Sequence, residues 1–294
     1  MFDLILENEA GDQLTFGMGT PFSVVDIDGL YPPSAIINTS DVALMDGVRY
    51  NSAKVNARIL NIAFAIEYEP AKNRIEVFKV LKSKQYVKMY YAGQYRQVYT
   101  EGYVDSINIT YFEMKQVVTC SIICPDPWFR EAQVIVDELR NIISAFHFPF
   151  SSTADPQLVF SYFATDVGIT VDNDGDVECG MVIELYANDV VTNPKIFNYI
   201  TQDFIGLNIS MQAGDLITIN TNAGHKSATL LRNGVETNIF NSVIKNSTWL
   251  QLEAGGSTFV YEVGSGNASG LAVTFSHSNL YDCLLYTSPS PRDS

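Results

Sequence analysis

From Ala57 to Tyr68 the chain keeps a period of two: Leu60, Ile62, Phe64 and Ile66 are apolar at every second position. Successive side chains of an extended strand point to opposite faces, so such a row lines one face of a sheet. The alternation returns at Ile205, Leu207, Ile209 and Met211, and again at Phe259, Tyr261 and Val263. Asp46-Gly47 and Arg232-Asn233-Gly234 are hairpin-turn pairs. Turn signals recur through the second half at about 8–12 residues, the rhythm of a β-sandwich. The pattern predicts an all-β, mainly antiparallel chain.

One segment breaks the period. Glu69-Pro70 opens a predicted helix to about Gln85, since proline suits a first helical turn. Ala71, Ile75, Phe78 and Leu81 form the expected buried stripe, with Lys72, Arg74, Glu76 and Lys79 outward. Strands are predicted at Tyr86–Tyr91, Arg96–Asp105 and Ile107–Thr119, with Gly93 and Gly102 at turns or a bulge. Val117 to Cys124 reads as a strand with both faces largely buried. Pro125 and Pro127 then stop it, because neither can donate a ladder hydrogen bond. Trp128 and Phe129 follow as an aromatic anchor. This proline stop closes a first domain, 1–131. Residues 131–146 fit a helix with Val134, Ile135, Leu139, Ile142 and Ile143 on one side. They fit equally an extended connection with a short helical turn, which is the expectation. His147-Phe-Pro-Phe150 leads into the strands of a second domain, 132–282.

Cys283-Leu-Leu-Tyr-Thr-Ser-Pro-Ser-Pro-Arg-Asp293 breaks the alternation and looks like a translated sequencing-library adapter. Residues 283–294 are therefore set aside as a non-native tail, and the natural chain is expected to end near Asp282. Three cysteines are left and no export signal is visible at the start, so a disulfide framework is not expected.

The chain of 294 residues carries a net charge of −15. Residues 1–130 hold 12 Lys and Arg against 15 Asp and Glu, and residues 131–282 hold 5 against 17. So acidic a surface excludes nucleic acid as an expected partner, because phosphates need cations. No apolar run reaches the ~20 residues of a membrane helix. Hydrolase motifs of the Gly-x-Ser-x-Gly or His-Glu-x-x-His type are missing, as is a phosphate-cradling glycine loop. No catalytic residue and no cofactor is expected.

Three features stay in view as chemistry. Cys120 and Cys124 have metal-pair spacing, but on a strand four residues span about 13 Å, too far for one zinc ion. Buried thiols are expected. Asp172, Asp174, Asp176 and Glu178 could ligate Ca²⁺, but Gly175 comes too early for an EF-hand loop, so a hairpin turn is the expectation. Trp249 could stack on a sugar, though a core tryptophan is expected. Tyr50, Tyr90, Tyr91, Tyr95, Tyr99 and Tyr103 suit an interface and ordinary strands equally well.

The order of short motifs resembles that of siphophage distal tail proteins, the Dit family of baseplate hubs. It runs through Asp28-Gly-Leu-Tyr-Pro-Pro33, Asp46-Gly47, Arg58 in Asn56-Ala-Arg-Ile-Leu-Asn-Ile62, and Cys124-Pro125-Asp126-Pro127-Trp128. It continues through Phe146–Phe150, Asn173-Asp-Gly-Asp176, Asn193-Pro194, Gly214-Asp215 and Asn233-Gly234 to about Tyr281. The resemblance implies a split-barrel-like or sandwich first domain with one helix and a galectin-like second sandwich. It implies a structural role: a homo-hexameric ring at the virion tail tip, assembled in the host cytoplasm. Implied partners are the major tail tube protein, a tail-associated tip protein, and a receptor-binding protein or host glycan. The alternative is a carbohydrate-binding recognition module that forms no ring.

Overall fold

A computed structural model describes residues 3–17, 19–43, 46–93, 96–111, 115–139, 142–144, 161–163, 168–266 and 268–284. Phe146–Phe150 and the tail beyond 284 lie outside them. The strand pairs are antiparallel. The chain forms two compact units. One runs to Gln133 and resumes at Leu280; the other is Val134–Asn279. The sequence reading carries the second domain to 282, whereas the chain is back in the first unit two residues earlier.

The first unit is built from β1 (Asp3–Asn8), β2 (Gln13–Phe16), β3 (Phe22–Asp28), β4 (Ala35–Asp41), β5 (Val48–Val55) and β6 (Arg58–Ile66). After α1 (Pro70–Val80) come β7 (Tyr86–Ala92), β8 (Gln97–Ile109), β9 (Gln116–Cys124) and β10 (Phe129–Glu131). The main sheet has the order β2-β1-β7-β8-β9-β6-β3. A last short strand, Leu280–Tyr281, pairs with β10, which also pairs with β8. The sheet curls until its end strands meet through side chains: Phe16 of β2 and Phe22 of β3 lie 5.8 Å apart, and Phe64 of β6 packs edge-on at 4.9 Å from Phe16. Such edge-to-face rings fill the seam favourably. Leu60, Ile62, Phe64 and Ile66 all point into this interior, as their spacing requires.

The helix forms where proline and composition place it, but it turns a different face inward. Asn73, Val77 and Val80 are buried, while Ile75 is 69% exposed and Phe78 44%. The i, i+4, i+7 row through Asn73 wins because the Asn73 side chain ties the helix start, donating from Nδ2 to the Tyr68 carbonyl at 2.5 Å. The helix also ends at Val80 rather than near Gln85. Leu81 is needed in the core, and the chain turns at Lys84 with φ of 69°.

Two further expectations are corrected. The predicted break near residue 106 is a register shift between Val104 and Ser106 inside the long β8, which runs on to Ile109. In β9 the buried face is Gln116, Val118, Cys120, Ile122 and Cys124, while Thr119 and Ile123 on the other are exposed.

The second unit is a sandwich. One sheet has six strands in the order Ile135–Leu139, Leu271–His277, Met181–Ala187, Leu216–Asn220, Ser227–Arg232 and Val235–Asn238. A four-stranded sheet follows the order Ile169–Asn173, Gly255–Glu262, Lys195–Asn198 and Phe204–Gly206. The sheets meet through Phe259 and Phe275, whose rings stack at 5.0 Å. Residues 135–139 and 142–144 are strands, so the stretch that also fitted a helix is extended. Asp215 is buried and accepts from Arg232 Nε at 2.9 Å and Nη2 at 2.5 Å, and from the Gln212 N–H at 2.7 Å.

Two predictions follow from this packing. Val77→Ala is expected to lower stability by about 2 kcal/mol, and Ile75→Ala to change it by under about 0.5 kcal/mol. Urea titration of both variants checks the helix face, and equal losses would refute it. The Arg232 guanidinium lowers the Asp215 pKa below its ordinary value. A carboxylate whose folded pKa is lowered stabilises fully above the unfolded value of about 3.9, and that stability is lost as pH falls through the folded pKa. Melting of the second unit between neutral pH and pH of about 2 should therefore steepen below about 4. Asp215→Asn should melt lower at neutral pH and lose less on acidification.

Candidate functional site

β6 starts with a cation in phase with its core face. Arg58 precedes Leu60, Ile62 and Phe64 at the same spacing, and only 2% of it is exposed. Its guanidinium lies 4.1 Å from the centre of the buried Phe129 ring. Nε donates to the Pro127 carbonyl at 2.6 Å, and Nη1 to the carbonyls of Gly29 and, at 2.7 Å, Tyr31. Nη2 donates to the Asp282 carbonyl at 2.7 Å. Burial pulls its pKa down, yet an arginine stays charged in proteins. The desolvation is offset by four carbonyl dipoles and an aromatic face.

The motif residues form this cradle. Pro125 and Pro127 end β9 and turn the Pro127 carbonyl onto Arg58. Asp126 fixes the turn, accepting from the Trp128 N–H and from Arg130 Nη2, both at 3.3 Å. Cys124 is buried beside Arg58, and burial pushes its thiol up to about 11; Cys120 is pushed to about 12 in the same way. Trp128 is half-buried. Gly29 is required on the other wall: its φ is 95°, and a Cβ there would run into the Ile59 carbonyl. The returning chain closes the last side. Arg96 lies 3.9 Å over the Tyr281 ring and donates to the Cys283 carbonyl at 3.2 Å, and the Leu284 N–H donates to Leu30 at 3.0 Å. Cys283 and Leu284, set aside by the sequence reading, are thus packed in the first unit.

The clamp fixes the root of the hairpin β4–β5. The chain leaves at Tyr31, held by Arg58, and re-enters through Asn56, whose N–H donates to the Ser34 carbonyl at 2.9 Å. The hairpin is amphipathic. A bulge between Asn38 and Thr39 brings Tyr50 opposite Thr39, while Val48 pairs with Asp41, Ala53 with Ile37 and Val55 with Ala35. One face therefore carries Ile37, Val48, Tyr50, Ala53 and Val55 together with Thr39 and, at its end, Asp41. The other carries Asn38, Ser40 and Ser52 with Ile36, Arg49 and Lys54, and Asn38 donates to the Ser52 hydroxyl at 3.0 Å. Period-two patterning implies a buried apolar face, but none of the described residues of the first unit buries this one: Tyr50 is 62% exposed, and Ile37 and Val48 are similarly bare.

A second bare surface lies on the outer face of the main sheet. Tyr86 stands opposite Tyr103, Tyr103 opposite Ile123, and Ile123 opposite Ile59. This row crosses β7, β8, β9 and β6. Tyr103 is 50% exposed, and Ile59 and Ile123 are also exposed. Tyr90 and Tyr99 form a parallel pair at 6.1 Å. Between the rows Lys88 pairs with Glu101 at 3.5 Å and sits 3.8 Å over Tyr99. Burial, and then the neighbouring Glu101, push the Tyr86 phenol pKa up.

The second unit places the calcium candidates on a turn. Asn173, not an acid, organises it: its side chain accepts from the Gly175 N–H at 2.9 Å and donates to the carbonyls of Val177 and Leu252. Asp172, Asp174, Asp176 and Glu178 do not converge, and no group of three His, Cys, Asp or Glu residues able to hold a metal occurs among the described residues. Trp249 is half-buried at the surface rather than in the core, stacked on Phe240 at 5.4 Å. Among the described residues no helix is long and apolar enough to cross a membrane.

Architecture and family match now coincide. Residues 174–281 match the model of the siphovirus-type tail component, C-terminal domain. The fold is that of the crystal structure of phage SPP1 Dit (gp 19.1), described as a paradigm of hub adsorption apparatus in Gram-positive infecting phages. The TM-score is 0.67 at 13% identity, over 94% of this chain and 98% of that one. The phage P2 baseplate in its activated conformation with Ca gives a TM-score of 0.50 at 13% identity over 97% of this chain and 100% of the other. The same baseplate with Sr gives 0.51 with the same identity and coverage. No curated protein matches. The chain is all-β in class, shares its fold with the SPP1 Dit structure, and matches the siphovirus-type tail component model over residues 174–281.

Replacing Arg58 by Met leaves four carbonyls without their donor. The expected loss is about 3–5 kcal/mol, the cost of breaking a buried charged network. A Trp249→Phe background leaves Trp128 as the reporter of the first unit. A loss below about 1 kcal/mol in its urea transition would show that the clamp is dispensable.

Proposed function

We propose that the chain is a structural hub at the tip of a long non-contractile phage tail, a homo-hexameric ring joining the tail tube to the tip and receptor-binding apparatus. The observation that carries this reading is the hairpin β4–β5, an amphipathic pair of strands whose apolar face its own chain leaves in water. A lone two-stranded hairpin is marginal, and so large a bare apolar face marks a protein interface. The Dit fold and the baseplate neighbours supply the kind of assembly. In this reading the first domain builds the ring and docks on the major tail tube protein. The acidic, galectin-like second domain serves tail-associated or receptor-binding partners, and the protein resides in the virion tip. The role is structural, with no chemistry asked of any side chain. Cys124–Trp128 acts in it as the cradle of Arg58, and Asp172–Glu178 as a turn.

One observation favours a second reading, glycan recognition by the second domain: Trp249 and Phe240 form a stacked aromatic pair at its surface. The two readings separate on the oligomeric state.

Light scattering and negative-stain microscopy of the full chain should show six-subunit rings with a central lumen. Tyr50→Asp should give monomers of unchanged circular dichroism and melting temperature. A wild-type monomer at every concentration tested would overturn the ring.

A further inference from the structure

The first unit carries two bare apolar surfaces, not one. The first is the hairpin face of Ile37, Val48 and Tyr50. The second is the row Tyr86–Tyr103–Ile123–Ile59 across the outer face of the main sheet. We infer that these two surfaces are the two halves of one contact: the hairpin of each copy lies across the tyrosine–isoleucine row of the next copy. This inference rests on the ring reading and names the surfaces that would close it.

Count favours this occupant. The hairpin face is about eight residues long, roughly 26 Å at 3.3 Å per residue. The row crosses four strands spaced about 4.8 Å apart, about 14 Å at right angles to them, so the hairpin is long enough to reach across all of it. A hairpin laid along the row therefore packs sheet on sheet in the near-orthogonal mode. The outward helix pair, Ile75 and Phe78, offers only two side chains and no flat surface for two strands. A symmetric hairpin-to-hairpin contact would cover one surface and leave the other in water. A head-to-tail contact covers both in every copy, and it is the kind that closes into rings when the rotation allows. The surfaces also match in character. The hairpin face brings one tyrosine among aliphatic groups, and the row brings two tyrosines beside two isoleucines. The charges lie at the margins: Asp41 ends the hairpin face opposite Val48, and Lys88 and Glu101 beside the row satisfy each other. The clamp gives the contact its aim, since Arg58 holds the residues from which the hairpin springs.

The test uses thiol cross-linking of the full chain. The four native cysteines are buried, so an introduced surface cysteine is the reactive one. Tyr50→Cys, Tyr103→Cys and the double variant are each treated with a short bismaleimide and run on denaturing gels, with light scattering in parallel. The expected result is a ladder from dimer to hexamer in the double variant and no ladder in either single variant. Tyr103→Asp should also raise the concentration needed for assembly by about tenfold or more, the size of effect a central interface tyrosine carries. Rings by scattering with no ladder would overturn this pairing and leave the ring reading standing. A dimer band from Tyr50→Cys alone would mean that hairpin meets hairpin, and would overturn it too. Monomers with no cross-link would overturn both.

Discussion

A single buried guanidinium organises the first unit. Arg58 is placed by strand periodicity into an interior where a charge is costly, and no carboxylate is hydrogen-bonded to it. The balance comes from four backbone carbonyls drawn from three remote stretches, 29–31, 127 and 282, and from the face of Phe129. Because a carbonyl belongs to the chain rather than to a side chain, satisfying the charge fixes backbone. The loop before β4, the proline stop after β9 and the returning strand are thereby set against one another. Their sequences look unrelated, and the arginine is the physical reason they occur together.

Much of this was legible beforehand, and the exceptions have causes. The period of two in β6 names its buried face correctly because that face packs on a continuous interior. The double proline ends β9 where a ladder can no longer be made. The helix was legible in existence but not in orientation. Ile75 and Phe78 are more apolar than Asn73, yet Asn73 is buried with its amide donating to the Tyr68 carbonyl just ahead of the helix. Hydrophobicity alone ranks these residues in the wrong order. β8 was split in two because a bulge at Asp105 looks like a turn in sequence.

The clamp itself was half-visible. Arg58 falls in step with Leu60 and Ile62, which is where an arginine needs an explanation. Its acceptors could not be read, because carbonyls carry no side-chain signature. The return at Leu280 was hidden for a related reason: a two-residue strand is too short to show a period. The calcium-like acids of 172–178 read as ligands because carboxylates are conspicuous. The residue that builds the turn is the amide Asn173, whose three hydrogen bonds leave no mark in composition.

The second unit enters the chain after β10 and leaves it before the strand that pairs with β10. Its first strand and its last long strand are neighbours, with Ile135 opposite His277. Entry and exit are therefore a single antiparallel pair. A pull on the second unit is shared by two covalent tethers rather than one. The same geometry makes the unit a cassette. Any domain whose ends emerge on adjacent antiparallel strands can fill that gap without disturbing the clamp.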